Sequence, residues 1–311
     1  MALREITFAS ANGRDTVHGW IYSPATQPRA IVQIVHGLGE HSRRYLHMIS
    51  ALLDAGFVVA ADDHAGHGAT AVASGVWMDT GENGARAVVD DERTLHDLTV
   101  DAFPGLPHIV FGHSWGSMIA RSYAEHHGDD LTALALCGVA AQIAGIDRHL
   151  DRPALAAALA QGRGEEPGAE FMGAMFTGMI ERFPDAVNGN EWIAREPAVV
   201  ADHASDPLNA LADPMTVRFV GDFVDLYDAV NAGWAERVRT DLPVLILAGA
   251  QDPVANYGEG AFHVANALWS SGNRDVRTVV YPGVRHEIHN EPPTRAAVEH
   301  ELIDFVNAQI G

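Results

Sequence analysis

Ser114 stands between Gly112 and Gly116 in "VFGHSWGSMIA", after a short apolar run and before a helical pattern. This is G-x-S-x-G in the context that gives it meaning, strand then tight bend then helix. The bend leaves no room for side chains at the two glycines, exposes the serine hydroxyl, and turns the first N–H groups of the helix toward any charge that develops nearby. The competing reading is a plain helix N-cap serine. A serine hydroxyl becomes a nucleophile only when a base takes its proton. The chain has 17 histidines. His126 and His127 close a helix. His64 and His67 form an i, i+3 pair that hints at a metal, but no acidic or cysteine ligand set accompanies them in sequence. His286, in "YPGVRHEIHNE" after the last strand pattern, opens at the same sheet edge as Ser114; His289 is its local rival. The base in turn needs an acid to fix its tautomer. Asp252 directly follows the preceding strand in "PVLILAGAQDPV". Asp222, Asp225 and Asp228 read as a solvated helix face, and Asp275 as the approach to the last strand. An oxyanion would find the backbone N–H groups of Leu38, in "VHGLGEH", and of Trp115, with Gly37 and Gly39 permitting close approach. These residues spell acyl transfer by a Ser-His-Asp triad, with no metal and no cofactor.

The residues lie at the ends of elements that the pattern predicts. "EITFASANGRDTVHGWIYS" reads as two strands around Asn12-Gly13. "AIVQIVHG", "FVVAADDHAGHG", "HIVFG", "LTALALCG", "PVLILAGA" and "RTVVYPG" are short continuous apolar runs. Between them lie helical spacings: "SRRYLHMISALLDAG" with Ser42 as N-cap, "GARAVVDDERTLHDLTVDAF", "WGSMIARSYAEHH", "GEGAFHVANALWSSG" and a closing helix after Pro292-Pro293. Apolar strands alternating with helices predict an α/β fold, a mainly parallel central sheet flanked by helices. The rhythm breaks over 141–238, which has helical stretches but no strand pair. It reads as a helical cap inserted into a core formed by residues 1–140 and 239–311. Within it, "QGRGEEPG" reads as a mobile loop. In "FMGAMFTGMI", Met172, Met175, Phe176 and Met179 follow i, i+3, i+4, i+7 spacing and share one face of a helix, either packing the cap down or lining an acyl channel.

Bulk composition narrows the partners. A formal charge of −21 repels nucleic-acid phosphate and anionic membranes and favours solubility. Cys137 is the one cysteine and sits in an apolar run, so it reads as a small buried hydrophobe. No signal-peptide pattern opens the chain and no run reaches the ~18 apolar residues of a membrane span, so a cytoplasmic protein with a small-molecule partner is expected.

The order Ser114, Asp252, His286 is that of α/β-hydrolases. "HGLGEHSRRY", "DHAGHG", "GHSWGS", "DPL" at 206–208, "GAQDPV" and "RHEIHNE" together resemble the monoacylglycerol lipase and lysophospholipase branch of that fold, in order and over nearly the whole chain. The resemblance implies a Ser-Asp-His esterase with a helical cap, acting on monoacylglycerol-like or other small lipid esters, with the oxyanion position after "HG" falling on Leu38. Two positions depart from the commonest pattern. Trp115 replaces a smaller residue after the nucleophile, which predicts a narrowed acyl tunnel and a preference for shorter chains, and Ser117 replaces a frequent glycine. The same triad also serves lactonases and carbon–carbon or amide hydrolases; a catalytically silent ligand-binding protein of this fold would lack a triad member. Epoxide hydrolases and haloalkane dehalogenases would place Asp at 114.

Overall fold

The computed structural model describes residues 2–311. Eight strands form one sheet: β1 (Ala2–Ala9), β2 (Thr16–Ser23), β3 (Ala30–Val35), β4 (Phe57–Asp63), β5 (His108–His113), β6 (Ala133–Cys137), β7 (Val244–Gly249) and β8 (Val276–Tyr281). Their spatial order is β1-β2-β4-β3-β5-β6-β7-β8. The pairs β1–β2 and β2–β4 are antiparallel and every later pair is parallel. The helices are α1 (Leu46–Asp54), α2 (Gly68–Ser74), α3 (Gly84–Ala102), α4 (Trp115–His127), α5 (Arg152–Ala160), α6 (Ala169–Met175), α7 (Pro197–Ser205), α8 (Val217–Asn231), α9 (Glu259–Ser271) and α10 (Arg295–Ile310).

Strands β3 to β7 are buried along their whole length, which is why they read as unbroken apolar runs. Their side chains still alternate between two layers. Ala133, Ala135 and Cys137 of β6, with Leu245 and Leu247 of β7, face Met48, Ile49, Leu302 and Phe305 of α1 and α10. Leu134 and Leu136, with Val244 and Ile246, face the opposite layer, built from α3, α4, α8 and α9. The period of two along each strand thus sends successive residues into separate cores. Cys137 is buried, as its neighbours predicted, and burial pushes its thiol well above the ordinary range. Truncating Ile246, which is fully buried, to alanine is expected to cost about 2–5 kcal/mol, measurable by urea denaturation.

Three local expectations change. Ser42 does not cap α1: it opens a 3₁₀ turn, Ser42–Tyr45, and its N–H and hydroxyl both donate to Asp63 Oδ1, at 2.9 and 2.7 Å. The stretch Gln161–Gly168 is tied rather than free. Arg218 N–H donates to the Gly164 carbonyl, Val217 N–H to Glu166 and Gly168 N–H to Met215, at 2.8, 2.9 and 2.7 Å. The third change is at α6, which ends at Met175 and gives way to turns.

The segment between β6 and β7 carries α5 to α8 and adds no strand to the sheet. Its last helix, α8, packs on α3 and α4. Arg121 of α4 helps to lock it there. The guanidinium is fully buried and donates to the carbonyls of Val230 and Ala140 and to Asn231 Oδ1. Burial pulls it down to about 9. Among the described residues no helix is long and apolar enough to cross a membrane.

Candidate active site

Ser114 sits at the end of β5, at the first bend into α4, with φ 55° and ψ −121°. A non-glycine residue rarely occupies positive φ, and the surrounding contacts hold it there. A Cβ at Gly112 would come within 2.3 Å of the Gly116 carbonyl oxygen, and one at Gly116 within 2.1 Å of the Val35 carbonyl oxygen. Both glycines are therefore steric requirements of the bend. Ser114 N–H donates to the Cys137 carbonyl at 3.0 Å, tying the bend to β6. Ser117, where a glycine is commoner, has a use: its hydroxyl donates to the Ser114 carbonyl at 2.6 Å and accepts from Ala140 N–H at 3.0 Å.

His286 lies in the loop after β8 and Asp252 in the loop after β7, so parallel strands deliver both to the edge where β5 delivers Ser114. His286 Nδ1–H donates to Asp252 Oδ2 at 2.9 Å, while Asp252 Oδ1 accepts from Val254 N–H at 2.8 Å. The carboxylate is fully buried and the ring nearly so. Burial opposes a charge on the ring, but the Asp252 carboxylate outweighs it through its charge and hydrogen bond, so the His286 pKa stands above the ordinary value. Gly138 makes room for the ring: a Cβ there would lie 3.0 Å from His286 Cε1. Trp192 covers it, with ring centroids 5.1 Å apart.

The rivals are placed elsewhere. His289 stacks on Tyr45 at 4.9 Å and is pulled down to about 3 by burial and by His113. Asp222 is half-buried beside Gly84 at the start of α3, not on the solvated face expected, and burial raises its pKa to about 6; Asp225 and Asp228 are exposed. Asp275 is exposed at the start of β8. His64 is buried beside Asp62 and Glu92, a pair of acids that sequence spacing did not connect to it.

Ser114 and His286 face one cavity. Leu38, Ile143, Ile146, Met175, Phe176 and Met179 give it apolar walls. Met172, grouped with the last three by sequence, does not reach it; it borders a separate surface groove with Ala169 and Pro214. The Met175 carbonyl meets Gly145, where a Cβ would be 1.9 Å away, and the turns that follow carry Phe176 and Met179 round to the cavity. Trp115 borders the cavity too, but its side chain is 2% exposed and packs against His67 and Phe219, with ring centroids 5.1 and 5.3 Å away. Its bulk is thus spent mostly in the core, not on a narrowed tunnel.

One buried network was not read from the sequence. Glu40 Oε1 accepts from Gly37 N–H at 2.6 Å, Tyr45 Oη–H at 2.6 Å and His113 Nδ1–H at 3.0 Å. Burial resists its ionisation, yet His113 and Arg44 hold it well below the ordinary carboxylate range. Arg44 also pairs with Glu287, the neighbour of His286, at 2.8 Å. The network holds the Gly37 N–H, and His36 Nδ1–H donates to the Gly37 carbonyl at 2.8 Å, which fixes the Gly37–Leu38 peptide beside Ser114; a Cβ at Gly37 would be 3.0 Å from Ser114 Cβ. Trp115 N–H opens α4, in the first turn, where N–H groups lack intrahelical acceptors. The signal available was Glu40 three residues after Gly37, the spacing of a side chain that folds back on a loop N–H.

A mostly parallel sheet with Ser114, Asp252 and His286 in the turns after β5, β7 and β8, in that chain order, defines an α/β-hydrolase. The model of the Hydrolase_4 family, described as serine aminopeptidase, S33, matches residues 26–293, and the chain belongs to that family. It is similar to a thermostable carboxyl esterase from Bacillus coagulans solved in complex with glycerol, at 46% identity over 100% of both chains and a TM-score of 0.96. A lipase solved in an open form is 47% identical over 100% of both chains, with a TM-score of 0.95. The monoacylglycerol lipase of Mycolicibacterium smegmatis is 29% identical over 303 residues, 95% of this chain and 94% of that one. The chain is accordingly an esterase or monoacylglycerol lipase-like hydrolase of the carboxylic-ester class.

Proposed function

We propose that the protein hydrolyses monoacylglycerols or similar small lipid esters through an acyl-enzyme on Ser114. The observation that carries this reading is His286, held 2.9 Å from Asp252, facing the same apolar cavity as Ser114. In this account Asp252 keeps the proton on His286 Nδ1, leaving Nε2 free to take the Ser114 proton as Oγ attacks the ester carbonyl. The Leu38 and Trp115 N–H groups receive the oxyanion. His286 then returns the proton to the departing alcohol, and water repeats the sequence on the acyl-enzyme. No step needs a metal or cofactor. The names of the similar proteins, a carboxyl esterase bound to glycerol and a monoacylglycerol lipase, support the choice of substrate class. A cytoplasmic setting belongs to the same reading.

The substrate class is tested by kcat/KM on monoacylglycerols of increasing length. Apolar burial is worth about 0.8 kcal/mol per CH₂, so kcat/KM is expected to rise a few-fold per methylene until the cavity is full and then to fall. Met175→Trp should move the peak to shorter chains. A flat profile that the substitution leaves unmoved would remove the acyl-channel reading. Trp115→Met is expected to destabilise the fold more than it lengthens the channel, because the indole is a core residue.

The pH profile separates the two histidines of the loop. His286 must be neutral to act, and its pKa is raised. As pH falls through that value the ring becomes protonated, so kcat/KM should drop about tenfold per pH unit, with a midpoint above the ordinary ~6.5. Were His289 the base, at about 3, activity would persist far into acid.

A further inference from the structure

Beside the C-terminal end of β4, away from the cavity walls, three ionisable side chains meet in the core. Asp62 and His64 come from β4 and the residue just beyond it, Glu92 from the middle of α3. Their exposures are 0%, 1% and 1%. One donor atom from each lies within 4.8 Å of the others. His64 Nδ1 is 3.3 Å from Asp62 Oδ1 and 3.3 Å from Glu92 Oε1. Those three atoms, and Asp62 Oδ2, have no hydrogen-bond partner among the described residues.

The surroundings fix the direction in which these atoms point. His64 Nε2 lies 3.3 Å from the His36 carbonyl oxygen, which can only accept, so Nε2 carries a proton and Nδ1 is the ring atom turned to the two carboxylates. A carbonyl behind the far nitrogen is also the usual support of a metal-bound histidine. Gln33 Nε2 donates to Glu92 Oε2 and so leaves Oε1 facing inward. His36 stacks on the His64 ring at 3.8 Å, and Trp115 meets it edge-on at 5.3 Å. A lone pair and two carboxylate oxygens in a dry interior repel unless positive charge lies among them. The nearby guanidinium groups are engaged elsewhere, Arg14 with Asp15 and Asp79, Arg43 with Asp63. Ligands 2.0–2.1 Å from a tetrahedral ion stand about 3.3–3.4 Å apart, the separation that His64 Nδ1 keeps from each oxygen.

We propose that Asp62, His64 and Glu92 form a structural binding site for a divalent transition-metal ion of the zinc or manganese kind. Two carboxylates and a neutral imidazole balance the ion's charge, and one nitrogen with two oxygens suits ions of intermediate hardness. The burial of all three ligands means that the ion is enclosed as the chain folds and takes no part in ester hydrolysis. It joins β4 to α3 beneath Trp115 and His36, the residues that flank the oxyanion peptides. The competing occupant is a proton, either shared between Asp62 and Glu92, whose carboxyl burial and the Asp62 charge push well above the ordinary range, or held on His64 Nδ1 between the two carboxylates; bound metal that survives the chelator wash distinguishes the ion from both.

The test is metal content by plasma mass spectrometry on full-length protein, refolded with excess zinc or manganese and then washed with chelator. About one tightly held equivalent is expected, and refolding under chelator should lower Tm by about 5 °C or more, restored by refolding with the metal. Glu92→Gln separates the ion from the shared proton, since the amide mimics a protonated carboxyl. The metal site predicts loss of the bound equivalent and a lower Tm; a shared proton predicts a Tm unchanged or higher. His64→Gln should likewise lose the metal. Because 17 histidines offer weak surface sites, metal that the chelator wash removes completely counts against the site. Less than about 0.1 equivalent in wild type under both metals, with Tm indifferent to chelator, would overturn it whether or not the variants fold.

Discussion

Ser114→Ala is expected to lower kcat by about 10⁶-fold, the order of loss when a triad nucleophile is removed. The residue is only partly buried, and its neighbours impose the positive φ whichever small side chain is present. No core volume is lost, so Tm should stay within a few degrees of wild type. What remains is the binding and oxyanion stabilisation that the Leu38 and Trp115 peptides supply without a nucleophile. A variant with near-normal turnover and an intact fold would show that some other group attacks the ester.

Asp252→Asn is expected to cost about 10⁴-fold in kcat. The shape survives, because an amide oxygen at Oδ1 can still accept from Val254 N–H. The amide nitrogen then faces His286 Nδ1, where the carboxylate accepted a proton at 2.9 Å. A donor in that place favours the other tautomer, with the proton on Nε2, which cannot take one from Ser114. The neighbouring acid Glu287 is engaged with Arg44 at 2.8 Å, so it does not replace Asp252. Unchanged kcat in the Asn variant would mean that the ring is oriented by another group.

The difference between what the sequence discloses and what it hides follows from the range of the contacts. Ser114, Asp252 and His286 each follow directly on an apolar strand. In a parallel sheet all such loops open at one edge, so strand order alone brings together residues up to 172 positions apart. The glycines of the bend are legible for the same reason, since their role is local. Met172 shares α6 with Met175 yet borders a different groove, since helical spacing says which residues share a face but not which part of that face a tertiary neighbour covers. The size of Trp115 is visible in sequence, but its packing against Phe219, on α8, is not. The Glu40–Arg44–Glu287 network and the Asp62–His64–Glu92 cluster join residues on different elements. Glu92 sits in "VVDDERTLHDL", which reads as a charged helix, yet it is 1% exposed because that turn of α3 faces β4. Burial of a charged residue on an amphipathic helix depends on which way the helix is rolled, and polar–apolar spacing leaves that open to within a residue.

The central claim is that an acyl group passes through the Ser114 oxygen. The most direct measurement is acid quenching within milliseconds of mixing with excess p-nitrophenyl ester, followed by peptide mapping by mass spectrometry. The account predicts one acyl adduct, on the peptide carrying Ser114, absent in Ser114→Ala and prolonged when hydrolysis is slowed at low pH. An adduct on any other residue, or full turnover with a burst of p-nitrophenol and no labelled Ser114, would contradict it.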